Sequence, residues 1–429
     1  MTGHRDINCD LLVIGAGFSG MVAAARAASL GLKTVLAGNS GSLLFVSGLL
    51  DYLGVYPMDA SATLDDPARG LARLKKDFPA HPYAVTGHER IIQSFEFVKE
   101  ILGAGGLSYH LSPQKNLSVL TAMGTRKPSF MVPKTMIKGT SLFKERKKLL
   151  LIDIKGLQGF SARQVAAGLG NHLSEIRTLR VEIPNIRKAV PPIVLAGFFE
   201  DPEVQNAFVK QVLPFSGQVD IAGMPAVCGV NNSLGIQQKL EEMTGMDLFE
   251  IPGIPPSIPG LRMKNAFEKK LTDSGVRLLS NIHIKAPVFN GKKFTLIGET
   301  DSRELSIGAK GVILATGRFP GGGLHARRER IVETVFRLAV IQPVNRSLWH
   351  GLDFLTRQGH LINRAGIETD PFFRPLDERD RPVFQHLYAV GSILAHNDWT
   401  RLKSGSGVSQ VSACAAVDAF YQSLGKGKP

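Results

Sequence analysis

Cysteine is scarce in this chain of 429 residues, which has three: Cys9, Cys228 and Cys414. They are far apart and odd in number, so a disulfide framework does not organise the fold and a reducing compartment is expected. An iron–sulfur cluster usually takes four thiolates, so any cluster on an electron path belongs to another chain. Long apolar runs are missing too. None approaches about 18 residues, so no spanning helix is expected. The opening MTGHRDINCDLLVIGAG leads from its apolar run straight into a glycine turn, unlike a signal peptide. Acid is short: Asp and Glu number 37 against 51 Lys and Arg, a net charge of +14. Such a basic surface favours anionic partners, phosphorylated metabolites or acidic lipid headgroups among them. No recognition helix or zinc-finger spacing accompanies the charge, so nucleic acid is not expected as a partner. The cluster KERKK at 144–148 reads as a solvated face.

What is present suffices for a globular protein. Apolar residues make up 44%, enough for a sizeable core, and the length suggests two or three domains at roughly 150 residues each. The segment CDLLVIGAGFSGMVAAARAASLGLKTVLA reads as strand, turn, helix and strand. Leu11 to Ile14 is a short apolar run of the kind a buried parallel strand shows. Gly15, Gly17 and Gly20 form G-x-G-x-x-G, with a helix expected over Met21 to Leu30, Gly31 as its stop, and a second strand over Lys33 to Ala37. Gly15 makes the tight turn, Gly17 lets the backbone approach a pyrophosphate, and Gly20 lets helix and strand pack closely. The helix start then presents free N–H groups to the phosphate. Its position between a strand and a helix makes this motif a strong signal.

The last absence is local. Such folds place an acid after the second strand, where it accepts hydrogen bonds from the adenosine ribose. This chain has Ala37, Gly38, Asn39 and Ser40 there. Either Asn39 or Ser40 bonds a ribose hydroxyl more weakly, or no adenosine is bound and the cofactor is FMN. The residues alone leave FAD and FMN open.

Two further segments suit a flavin. GAKGVILATGRFPGGG at 308–323 is a strand, Val312 to Ala315, entering a glycine turn at Gly317. Near the carboxyl end, Leu387 to Val390 reads as a strand ending at Gly391, followed by a loop, SGSG, and a helix over Val408 to Leu424. Gly405, Ser406 and Gly407 give that helix a small-residue start whose N–H groups suit the electron-rich end of a flavin. Gly48 completes the cofactor-binding candidates. The fold class expected is α/β: a Rossmann-like flavin-binding domain, parallel sheet with helices, carrying an inserted α+β substrate or cap domain. Residues 1–60 and 256–429 form the flavin domain and 61–255 the insert, with a second cap segment at 324–380.

The insert ends at EIPGIPPSIPGLRMKNAFEKKLTDSG, whose Pro252, Pro255, Pro256 and Pro259 make a stiff connection. Ser257 is expected to cap the next helix, with Gly275 past its end. Arg262 lies near that helix start, where a cation opposes the helix dipole, so it is a candidate anion ligand. Arg374, between Asp370 and Asp377, is a second candidate, ion pairing being the other reading. His360 and His396 are the candidate bases, though a lone histidine is more often structural. No metal site is expected.

These residues resemble the B-type subunit family of anaerobic glycerol-3-phosphate dehydrogenase, within the fumarate-reductase-like flavoproteins. The resemblance is carried by VIGAGFSGMVAA, SLLFVSGLLDYLG, EIPGIPPSIPGLRMKNAFEKKL, and GIETDPFFRPLD with LYAVGSILAHNDW and SGSGVS, from about residue 10 to about residue 410. It departs from the family at TRLKSGSG and is poor over 110–220. The resemblance implies FMN as cofactor, with FAD the alternative. It implies oxidation of sn-glycerol 3-phosphate to dihydroxyacetone phosphate, with electrons passing to the menaquinone pool. Its implied partners are a second flavoprotein subunit and an iron–sulfur subunit that anchors the complex, giving a cytoplasmic, peripheral position on the membrane. Arg262 and Arg374 are then the substrate phosphate candidates, because an arginine fork binds phosphate in a bidentate way. Two other readings stand beside it: a related fumarate-reductase-like or ketosteroid-dehydrogenase-like enzyme, and a non-catalytic subunit that relays electrons or supports assembly.

Overall fold

An unbroken apolar run cannot alternate between core and solvent, so it needs cover on both faces. Leu11, Leu12, Val13, Val312, Ile313 and Leu314 meet that need as the buried middle of one parallel sheet. The architecture is that of a computed structural model, which describes residues 5–427 except 59–62, 185, 187, 301–302 and 357. The sheet runs in the order Arg277–Leu279, Thr34–Ala37, Arg5–Ile14, Arg303–Leu314, Phe294–Thr300, His283–Phe289. The long strand Arg303–Leu314 serves two partners. Its first part pairs antiparallel with Phe294–Thr300, and Val312 to Leu314 pair parallel with Leu387–Ala389. Five strands therefore share one direction at this end of the sheet.

The helices Phe18–Ser29 and Gly405–Ser423 pack against each other beside this sheet. Arg26 and Asp418 pair across them at 2.7 Å. Both helices begin earlier than the sequence suggests, directly at their glycines. The Phe18–Ser29 helix has Gly17 as its N-cap and ends at Gly31, which takes φ +70°. Ser257 caps the helix Ile258–Asp273 as expected, accepting from Gly260 N–H at 3.2 Å.

The chain divides into two units. One comprises Met1–Ser42, Asp51–Ile101 and Phe267–Pro429, the other Leu43–Leu50 and Leu102–Ala266. Residues 63–101, expected in the insert, thus belong with the larger sheet, as do the described residues of the segment 324–380. The physical reason is a set of backbone bonds to the carboxyl-terminal segment. Gly54 N–H donates to Leu402 O at 3.0 Å, and Gly407 N–H to Asp51 O at 2.9 Å.

The second unit has its own sheet, ordered Leu248–Ile251, Ile221–Pro225, Lys148–Ile154, Glu175–Val181. These strands run parallel. Antiparallel pairing appears beside them in the short pairs Tyr109–Leu111 with Met131–Pro133 and Leu117–Leu120 with Arg126–Ser129. The sequence KLLLIDI at 148–154 fits the arrangement, since all but Lys148 are buried. Among the described residues no helix is long and apolar enough to cross a membrane.

Candidate functional site

Ligands of open parallel sheets bind outside the carboxyl ends of the strands. In the first unit four strand exits meet there, each turned by a residue with little or no side chain. Gly15 takes φ +105°, and a Cβ on it would lie 2.3 Å from Ala315 O. A Cβ on Gly20 would lie 1.7 Å from Gly15 O, and one on Gly38 2.9 Å from Ala16 N. Gly391, at φ +78°, would bring a Cβ to 2.0 Å from Ser19 Oγ, while its N–H donates to Ser412 Oγ at 3.0 Å. Packing therefore demands these glycines.

Gly17 is different. A Cβ there would meet one atom within 4 Å, Ser42 Oγ at 3.2 Å. Packing does not need this glycine, so its bareness is available to a ligand. The helix start above it has no side-chain cap and no acid in its first turn, which leaves the positive end of the helix dipole for an anion. Gly317, at φ +70°, is likewise bare, with Ser392 Oγ at 3.4 Å the nearest atom to a Cβ.

A second signature is polar atoms buried without a partner. Thr316 Oγ1, both side-chain polar atoms of Asn397, Ser404 Oγ, and both of Gln410 make no hydrogen bond within the chain. Each such group costs about 1–3 kcal/mol unless something satisfies it. All lie on the two segments assigned to a flavin from the sequence. His81 joins them and was not foreseen. Its Nδ1 accepts from Tyr83 N–H at 3.1 Å, which places the proton on Nε2, near the side chain of Asn397. Burial pushes this imidazole down to about 3, against a smaller opposing effect of Asn397. No periodicity marks His81 in the sequence; only the fold reveals its burial.

Several expected cofactor contacts make bonds within the chain. Gly407 cannot carry a side chain because Tyr83 Oη would stand 2.1 Å from its Cβ, and its N–H is taken by Asp51 O. Ser406 Oγ accepts from Asp51 N–H and donates to Asp51 O. These two residues clamp the Gly405–Ser423 helix to the Asp51 segment. Gly405 packs against Trp399. Gly48 belongs to the second unit, where a Cβ would lie 2.6 Å from Pro259 Cβ and Tyr109 Oη donates to its carbonyl at 2.9 Å. Asn39 Oδ1 accepts from Gly41 N–H at 2.9 Å, and its Nδ2 donates to Asn281 Oδ1 at 3.3 Å. Ser40 donates to Glu268 Oε1 at 2.8 Å, a partner 228 residues away that no local spacing could suggest.

The two arginines are corrected by their surroundings. Arg262 is buried in the second unit, bonded to Glu250 Oε2 at 2.6 Å and Oε1 at 2.9 Å. Its Nε and Nη2 also donate to Gly229 O at 2.9 and 2.7 Å. Burial would raise the Glu250 carboxyl, but the Arg262 charge and its hydrogen bonds outweigh this and hold it below the usual range. The anion that Arg262 binds is thus the protein's own. Arg374 pairs with Asp370 at 2.7 Å and donates to Gln385 Oε1 at 2.6 Å, in the first unit. His360 bridges its own loop, accepting from Gly351 N–H at 3.0 Å, with Nε2 3.1 Å from Phe354 O. His396 pairs with Glu368. Cys9 and Cys414 are pushed up to about 12 by burial, so neither is a ready thiolate.

The FAD binding domain family matches residues 10–408. The chain belongs to this family. It is a homologue of the B-type subunits of anaerobic glycerol-3-phosphate dehydrogenase. That of Vibrio vulnificus strain YJ016 is 29% identical over 429 residues, covering 96% of each chain. That of Vibrio cholerae strain N16961 is 27% identical, covering 98% of each. The crystal structure of 3-ketosteroid delta1-dehydrogenase from Sterolibacterium denitrificans is similar over 97% of this chain and all of that one, at 12% identity and a TM-score of 0.45. FMN, the first expectation for the cofactor, is not supported, because the matching family binds FAD. The residues are compatible with a dinucleotide: the bare Gly17, the uncapped helix start, and the orphaned polar atoms from Thr316 to Gln410 would all suit a polar ligand.

Replacing Gly17 by Val should leave a folded protein without flavin, because the new side chain fills the phosphate approach and meets little else. Replacing Gly20 by Ala should instead lower the yield of folded protein. Absorbance per folded protein, with circular dichroism as the control, separates the two; full flavin occupancy in Gly17→Val would refute the assignment.

Arg262→Ala should destabilise the second unit by about 3–5 kcal/mol, because Glu250 is left buried and unpaired. Lysine cannot replace both pairs of hydrogen bonds. Urea unfolding should show the loss, with flavin content per folded protein unchanged.

His81 has a folded value near 3 against an ordinary 6.5, so its neutral burial stabilises fully above pH 6.5. That contribution is lost as pH falls from 6.5 towards 3, because the unfolded chain gains a proton the folded chain refuses. The slope approaches about 1.4 kcal/mol per pH unit. In His81→Gln this component should vanish from denaturant unfolding between pH 6.5 and 4.5.

Proposed function

We propose that this chain is the flavoprotein subunit of a quinone-linked dehydrogenase that oxidises sn-glycerol 3-phosphate to dihydroxyacetone phosphate, with FAD as its flavin. The observation that carries the reading is the convergence of four strand exits, turned by residues with little or no side chain, around the bare Gly17, in a chain that matches its glycerol-3-phosphate dehydrogenase relatives over 96% to 98% of its length. The second flavoprotein subunit, the iron–sulfur anchor subunit and the menaquinone pool belong to the same proposal, as does peripheral attachment to the membrane through those partners. Three cysteines with deeply suppressed or distant thiols agree with a cluster on another chain.

In this reading the residues have separable roles. Gly17 and the start of the Phe18–Ser29 helix bind the pyrophosphate. The turns at Gly38, Thr316 to Gly317 and Gly391 leave room for the cofactor beyond the strand ends. Asn397, Ser404 and Gln410 supply hydrogen-bonding atoms that the chain itself does not use. Bound FAD supplies a two-electron acceptor for the hydride leaving C2, while the hydroxyl proton passes to a base.

One observation favours a second reading. Arg262, Arg374 and His396 are each committed to a carboxylate, and His360 to its own loop. The relay role therefore stands as the alternative, with the substrate on a partner.

The deciding measurement adds sn-glycerol 3-phosphate, then glycerol, anaerobically to the purified chain and to the assembled complex. Bleaching of the chain's own flavin by the phosphorylated compound alone supports the dehydrogenase. Bleaching in the complex but not in the isolated chain assigns the relay role. Equal response to both compounds, or to neither in the complex, overturns the substrate assignment.

A further inference from the structure

The acid that a dinucleotide fold places after its second strand is missing from Ala37 to Ser40, yet a carboxylate stands there in space. We propose that Glu268, acting with Ser40, is the acceptor for the adenosine ribose hydroxyl of the bound FAD. This rests on the FAD reading above and names the residues that select the dinucleotide over FMN.

Of the residues following the Thr34–Ala37 strand, Gly38 has no side chain, and its backbone lies against the fingerprint turn. Asn39 spends its carbonyl oxygen on Gly41 N–H and its amide on Asn281. Ser40 is the first side chain that faces a charged group, donating to Glu268 Oε1 at 2.8 Å. With its hydrogen given to the carboxylate, the Ser40 oxygen keeps acceptor capacity. A carboxylate has two oxygens and about four lone-pair sites, so it can accept from more than one donor at once.

Glu268 is held in place by its neighbour. Phe267 packs edge-on against Phe18 at 6.0 Å and 86°. Phe18 is the first residue of the fingerprint helix. The same turn of helix Ile258–Asp273 therefore touches the pyrophosphate-binding start through Phe267 and the end of the second strand through Glu268. Those are the two positions a fingerprint and its acid occupy in the ordinary arrangement. A ribose hydroxyl is a neutral donor, and a carboxylate makes the stronger, charge-assisted bond to it.

The test is a cycle with two ligands, FAD and FAD lacking the adenosine 2′-hydroxyl, titrated into apoprotein by flavin fluorescence. The wild type should bind the deoxy analogue roughly 10- to 100-fold more weakly, the worth of one charge-assisted hydrogen bond. In Glu268→Ala that penalty should shrink to near onefold, since the hydroxyl's partner is gone. Glu268→Gln keeps an acceptor for Ser40 and serves should the alanine variant fold poorly; its penalty should fall below that of the wild type. An undiminished penalty in a folded variant overturns the proposal, as does a wild type that binds both ligands equally; either leaves the FAD reading intact. A wild type that does not bind FAD overturns the reading itself.

Discussion

The first unit depends on one close approach. The Phe18–Ser29 helix lies where it does because Gly20 has no side chain, a Cβ there standing 1.7 Å from Gly15 O. Gly15 in turn needs its positive φ and its closeness to Ala315. From this contact the other strand exits follow: Gly38 closes on Ala16, and Gly391 closes on Ser19. Interiors are packed too densely to absorb a methylene at such points. Among the three fingerprint glycines, Gly17 alone is free of that demand. The distinction between a glycine the fold needs and one it does not comes from these distances, since the sequence writes both with the same letter.

How much was legible follows from the range of each interaction. The fingerprint, both its strands, the Val312 strand and the carboxyl-terminal strand and helix are written in local spacing, and the structure contains each, although the strands expected from Leu11 and Val312 begin already at Arg5 and Arg303. Helix starts read late from the sequence because Ser19, Gly20 and the small residues at 405–407 have weak helical preference and are held by packing. Residues 63–101 carry an ordinary amphipathic pattern, and contacts remote in sequence, such as Arg26 over Phe97 and Arg364 over Phe78, accompany their place in the first unit. Glu268 and His81 were invisible for the same reason. Each acquires meaning from a neighbour remote in sequence, Ser40 in one case and Asn397 in the other.

The arginines show a sound argument reaching the wrong partner. A cation near the start of a helix opposes the dipole, so something anionic was expected beside Arg262. The anion exists, but it is Glu250, fully enclosed with it. Desolvating both groups is costly, and the pair is tolerable because four hydrogen bonds accompany it. Arg374 repeats the pattern with Asp370 four residues away. A sequence shows charges singly, whereas folding pairs them.

The same accounting, applied to uncharged groups, gives the opposite result in the first unit. Where Arg262 finds every partner it needs, Thr316, Asn397, Ser404 and Gln410 leave six buried atoms without one. At about 1–3 kcal/mol each, the sum would consume much of the roughly 5–15 kcal/mol that a domain typically has. A protein can carry such atoms if a tightly held ligand supplies the partners, since binding to the folded state adds directly to its stability. They lie on the turn after Leu314 and on the segment after Leu387–Ala389, the two places where the sheet opens outward. On the proposed function, a bound cofactor would be a structural member of this unit as well as its chemistry, and the carboxyl-terminal segment, which clamps Asp51, would owe part of its order to it.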